Sequence, residues 1–134
     1  MAAGLKAYVA DTHALFWYLT ASPRLGVQAK GAFDEGAGGE AVIYVPAIVL
    51  AELFFLNEKA RRPLDFSTEY ARMRKSGQFV FVPFLPDDVS EFESDATVPE
   101  MHDRMIVGVA RRAGAVCLST DPEVVRSGLV ATVW

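Results

Sequence analysis

Apolar positions fall into short blocks separated by glycine, proline and polar residues, and their period switches between that of a strand and that of a helix. Leu5 to Ala10 reads as a short strand, and Asp11 and Thr12 then signal a helix start ahead of Ala14 to Leu19. Ser22 as N-cap with Pro23 in the first helical position predicts a second helix ending near Gly36, followed by a loop over Gly36 to Gly39. Ala41 to Val45 is a β-branched and aromatic run bounded by glycines and Pro46, hence a second strand, and the chain turns helical from Pro46 to about Lys59. A helix over Phe66 to Lys75 closed by Gly77, a strand over Phe79 to Phe84, and a helix from Pro86 to about Ala96 come next. Pro99 precedes a helix from Asp103 to Arg112 capped by Gly114; Ala115 to Leu118 is a strand, Pro122 starts a short helix ended by Gly128, and Ala131 to Trp134 forms a small last strand.

Strands alternating with helices predict an α/β fold, in one domain over residues 1–134, with a central parallel sheet of four to five strands and helices on both faces. Right-handed crossovers place the carboxyl ends of all strands along one edge, where ligands bind in such folds.

Composition narrows the function classes. A chain of 134 residues with 51% hydrophobic residues can bury one sizeable core. Its longest apolar run, Ala41 to Ala51, contains Pro46 and is far short of the roughly 20 residues that span a bilayer, so no membrane segment is expected. Asp11 interrupts the first apolar stretch, which argues against a signal peptide. The lone Cys117 and the two histidines, His13 and His102, do not make an ordinary zinc site or an internal disulfide, and a reducing cytoplasm is the expected compartment. A net charge of −4 gives no long-range attraction to nucleic acid, so such a substrate needs a local basic patch or bridging cations. Lys59, Arg61 and Arg62, with Arg72, Arg74 and Lys75, are candidates for that patch, although solvated surface charge explains them equally well.

Four acids carry the chemical signal. Asp11 directly follows the first strand, Asp103 opens a helix, and Asp121 precedes Pro122; each alone is explained as a helix cap or a first-turn acid. Glu52 is harder to explain, because its helical neighbours are Ile48, Val49, Phe55 and Leu56. A carboxylate there costs several kcal/mol unless it is neutralised, paired, metal-bound or able to reach solvent. Its backbone lies about 9 Å below the sheet edge, and a side chain directed toward the helix N-terminus recovers part of that distance. The helix from Asp103 runs about 15 Å away from the edge, and the strand to Leu118 returns about 13 Å, bringing Asp121 back to the level of Asp103. Topology therefore gathers Asp11, Asp103 and Asp121 at one edge with Glu52 beneath. Four acids so close repel unless a hard divalent cation joins them, and oxygen-only ligands suit Mg²⁺ or Mn²⁺.

Val9-Ala10-Asp11-Thr12-His13-Ala14-Leu15, Pro46-Ala47-Ile48-Val49-Leu50-Ala51-Glu52-Leu53, His102-Asp103-Arg104-Met105-Ile106 and Leu118-Ser119-Thr120-Asp121, in that order and spacing, resemble the PIN-domain ribonucleases, particularly the VapC-type toxins of toxin–antitoxin pairs. That resemblance covers nearly the whole chain. It implies that Asp11, Glu52, Asp103 and Asp121 are the catalytic, metal-binding acids, with Ser119 as a nearby hydroxyl and Thr12 and Arg104 as supporting residues. It further implies Mg²⁺ with Mn²⁺ as a substitute, an RNA substrate, a homodimer, and a cognate antitoxin occupying the groove. Gly108 departs from the family, where alanine is common, and costs the helix up to about 1 kcal/mol.

The reaction this implies is hydrolysis of an RNA phosphodiester by metal-activated water, leaving 5′-phosphate and 3′-hydroxyl ends. Its rivals are metal-free attack by a ribose hydroxyl driven by His13 and His102, a nucleophilic Cys117, a phospho-acceptor module, a catalytically silent PIN-like interaction module, and an RNA-processing nuclease outside any toxin–antitoxin pair. Cys117 lies between Val116 and Leu118, as a buried core residue would. A phospho-acceptor would need paired acids near the first strand and a late lysine, and no lysine follows Lys75.

Overall fold

A computed structural model describes residues 5–134. The strands β1 (Lys6–Ala10), β2 (Ala41–Pro46), β3 (Phe79–Val82), β4 (Val116–Leu118) and β5 (Thr132–Val133) form one sheet in the order β3-β2-β1-β4-β5. Every pairing is parallel, with Tyr8 opposite both Ile43 and Val116 and Ala10 opposite Leu118. Neighbouring residues on a strand face opposite sides of the sheet. Val9 and Ala10 of β1, and Cys117 and Leu118 of β4, are all fully buried, so both faces of the sheet are covered.

The helices are α1 (Thr12–Leu19), α2 (Val27–Ala37), α3 (Ala47–Lys59), α4 (Phe66–Ser76), α5 (Met101–Ala113) and α6 (Pro122–Ser127), with a 3₁₀ helix over Pro86–Glu91. Phe33 of α2, Leu15 of α1 and Leu53 of α3 have no exposed surface, and Tyr18 stacks on Phe33 at a ring separation of 4.2 Å. Asp11, Asp65 and Asp121 cap α1, α4 and α6 with their side chains, while Gly77, Gly114 and Gly128 end α4, α5 and α6 in the left-handed conformation.

Some elements differ from the sequence reading. The second helix starts at Val27, not at Pro23. Ser22 Oγ accepts from the Arg24 N–H and the Ser22 carbonyl from the Leu25 N–H, which makes a turn instead of a cap. Gly26 then packs so tightly on Trp134 that a Cβ would lie 2.2 Å from a backbone carbon of Trp134. The segment after Pro86 stays helical only to Glu91 and continues as turns. Its hydrogen bonds run to the third residue back, and the carbonyls of Phe92, Ala96 and Val98 accept from the Arg104 guanidinium. The third strand stops at Val82, two residues short of the expected Phe84. The fifth helix starts at Met101, two residues before Asp103, which lies in its first turn as expected; Glu100 is the cap, accepting from the Asp103 N–H at 2.8 Å.

Candidate active site

The order of strands places a crevice at the carboxyl ends of β1 and β4, where the chain, having run outward through β2 and β3, returns to the other side of β1. A backbone hydrogen bond from Asp11 N–H to the Leu118 carbonyl, 3.3 Å, joins the two strand ends there. Asp11, Glu52, Asp103 and Asp121 all line one cleft of about 440 Å³, together with Thr12, His13, Trp17, Leu56, Ile106, Thr120 and Pro122.

Each acid is positioned by its own local structure. Asp11 Oδ1 accepts from the Ala14 N–H at 2.9 Å, and Asp121 Oδ1 from the Glu123 N–H at 2.8 Å, so the helix caps leave the second oxygen of each free of that bond. Glu52 reaches up from α3: the buried Thr12 hydroxyl donates to Oε1 at 2.6 Å. His102 Nδ1 lies 3.4 Å from Glu52 Oε2 and 3.0 Å from Glu100 Oε1. Ser119, 2% exposed, accepts from the Asp121 N–H at 3.1 Å. Asp103 receives no side-chain hydrogen bond or ion pair among the described residues, since its neighbour Arg104 turns away toward the carbonyls of residues 92–98. Arg104, expected to support the site, is therefore used to fasten that segment to α5.

Electrostatics tie the acids together. Burial, and then the charges of Asp121, Glu100, Glu52 and Asp11, push Asp103 from 3.8 up to about 7. Burial likewise raises Asp11, against hydrogen bonds from Ser119 and Ala14 that lower it. Burial pushes the Cys117 thiol upward, in keeping with a core role and not a nucleophilic one.

The donor set is all oxygen, one of its carboxylates lacks a partner, and the acids disfavour one another's charge; all three fit a hard divalent cation. As the side chains lie, however, no three His, Cys, Asp or Glu among the described residues stand close enough to enclose one ion.

Among the basic residues weighed for a phosphate surface, Arg62 pairs with Glu58, Arg72 with Glu69, and Arg74 lies over the Tyr70 ring. Glu100 and Thr120 escaped the sequence reading. Glu100 carried a usable signal, an acid three residues before Asp103 at a helix start; Thr120 carried none apart from its place next to Asp121.

No helix among the described residues is long and apolar enough to cross a membrane. Comparison with curated proteins gave no match. In fold, the chain resembles VapBC2 from Rickettsia felis, crystallised with a DNA fragment from its promoter (TM-score 0.71, 14% identity, covering 96% of this chain and 98% of that one). It also resembles FitAcB from Neisseria gonorrhoeae (TM-score 0.63, 16% identity, 95% and 96% covered) and PAE2754 from Pyrobaculum aerophilum (TM-score 0.62, 17% identity, 98% and 88% covered). The sequence itself matches the PIN domain over residues 8–127, which takes in all four acids and every strand end that carries them, and the chain therefore belongs to the PIN domain family.

Proposed function

We propose that this PIN domain is a metal-dependent endoribonuclease that hydrolyses RNA phosphodiesters and serves as the toxin of a toxin–antitoxin pair. The observation that carries the nuclease reading is the convergence of four acids from four separate chain segments on one cleft, where burial first and the neighbouring carboxylates second push Asp103 to about 7. Independent caps would have no reason to share a cleft.

Asp11, Glu52, Asp103 and Asp121 would hold Mg²⁺, or Mn²⁺ in its place. The cation, when bound, supplies an activated water and a Lewis acid for the phosphate oxygens. Thr12 orients Glu52 through its hydroxyl, Ser119 holds the loop that presents Asp121, and one of the acids accepts the proton of the attacking water. Attack by water leaves 5′-phosphate and 3′-hydroxyl ends.

Similarity in fold to VapBC2 and FitAcB supports an antitoxin as the partner. A homodimer is supported by the apolar outer surface of α3, where Phe54 and Phe55 are 40% and 70% exposed.

Incubation with tRNA, rRNA and mRNA pools tests the enzyme reading. Cleavage should appear with Mg²⁺ or Mn²⁺, vanish in chelator and return when metal is added back. Cleavage unaffected by chelator would instead favour the metal-free histidine route.

A further inference from the structure

One wall of the cleft is aromatic. His13 and Trp17 sit one turn apart on α1 with ring centroids 5.4 Å apart and planes tilted by 55°, and both line the cleft that holds the four acids. His13 is exposed, and its ring makes no hydrogen bond or ion pair among the described residues. Trp17 is braced by Trp134, whose ring meets it edge-on at 5.6 Å. Arg24, exposed and without an ion pair among the described residues, lies over the Trp17 ring, its guanidinium carbon 5.9 Å from the centroid.

A cleft lined by four acids on a chain of net charge −4 repels a polyanion except where a cation intervenes. Apart from a bound cation and Arg24, affinity for nucleic acid at this place comes from contacts that carry no charge, and the faces of nucleobases offer them: a base stacked on an aromatic side chain contributes about 1–3 kcal/mol. Building on the nuclease reading above, we propose that the aromatic wall of His13 and Trp17 is the platform on which an unpaired nucleobase stacks, against one ring or the other, beside the phosphate to be cleaved, with Arg24, which lies over Trp17, available to the next backbone phosphate. A base within a duplex has both faces covered by its neighbours, so the platform admits single strands and excludes duplexes.

Binding is measured by fluorescence anisotropy on the Asp103→Asn background with Mg²⁺ present, using a labelled short single-stranded RNA, the same strand annealed to its complement, and an abasic strand of equal length and charge. The intact single strand should bind best. Adding Trp17→Leu should weaken it roughly tenfold, Trp17→Phe should retain most of the affinity, and neither should alter binding of the abasic strand. His13→Ala, a change at an exposed ring, should weaken the intact strand severalfold and provides the test should Trp17→Leu fail to fold. Equal binding of intact and abasic strands, equal binding of duplex and single strand, no loss in a folded Trp17→Leu, or, where that variant does not fold, no loss in His13→Ala, each overturns the proposal. The nuclease reading fails separately, if the unmutated protein with metal cleaves no RNA at all, whatever the binding shows.

Discussion

Asp103 is the one acid of the four whose carboxylate accepts no hydrogen bond among the described residues, and its pKa of about 7 is the consequence of burial and like charges. An acid raised by folding favours the folded state while protonated. Its contribution is therefore intact below the ordinary value of 3.8 and is lost as pH rises toward 7. Metal-free protein should lose stability across that window, and Asp103→Asn should flatten the loss. At pH 8 without metal we expect the variant to be more stable by about 1 kcal/mol, or roughly 3 °C in Tm, a figure discounted for partial exposure. The same variant should have no metal-dependent cleavage. Thermal melts from pH 4 to 8 with chelator or Mg²⁺, beside an RNA cleavage assay, check both; an active Asp103→Asn would remove the acid from its assigned role.

At the scale of elements, two contacts hold irregular segments where sequence periodicity offers nothing to hold them. Arg111 brackets Asp95 with Nη1 at 2.9 Å from Oδ1 and Nη2 at 3.0 Å from Oδ2, and Asp95 is fully buried. With Arg104 and with Arg112, which pairs with Glu91, this arginine fastens residues 86–98 to α5. Arg111→Met should cost about 3 kcal/mol, because it strands a buried carboxylate, and Asp95→Asn in the same chain should return part of it; urea melts of the two variants give the comparison. Gly26→Ala would drive a Cβ into Trp134 and break the bond from Gln28 N–H to the Trp134 carbonyl, 3.1 Å. Changed tryptophan fluorescence and a lowered Tm should follow. Gly108→Ala is a milder case: the new methyl would lie 3.1 Å from Arg112 Nη1, the atom that pairs with Glu91, and 3.9 Å from Glu91 Oε2, so the gain in helix propensity is offset by displacement of that ion pair and Tm should change by no more than a few degrees.

Over the whole molecule, α3 shows how one helix serves three demands. Val49, Leu53 and Asn57 face inward, Glu52 reaches the cleft, and Phe54 and Phe55 remain on the surface. If the proposed homodimer uses that surface, Phe55→Glu should give a monomer by sedimentation velocity with an unchanged circular dichroism spectrum. An unmutated protein that is monomeric at high concentration would rule the dimer out.

Much of this architecture was legible along the chain, because caps, prolines and glycines act on their immediate neighbours. Asp11 ends β1 and starts α1, Gly77 and Gly114 stop their helices, and the alternation of apolar blocks dictates a parallel sheet. Legibility failed where a local signal was outbid by distant contacts: Ser22-Pro23 looks like a helix start until Trp134 packs on Gly26, and Pro86 begins a helix whose later carbonyls are claimed by Arg104. The four acids could be named from sequence because each sits at a segment end or interrupts an apolar helix. Only tertiary structure could decide that Thr12 bonds Glu52, that Glu100 adds its charge to the cluster, that Arg104 turns away, and that His13 and Trp17 share the cleft with the acids. Those are interactions between residues remote in the chain, or choices of direction among near neighbours, and both depend on how the elements pack.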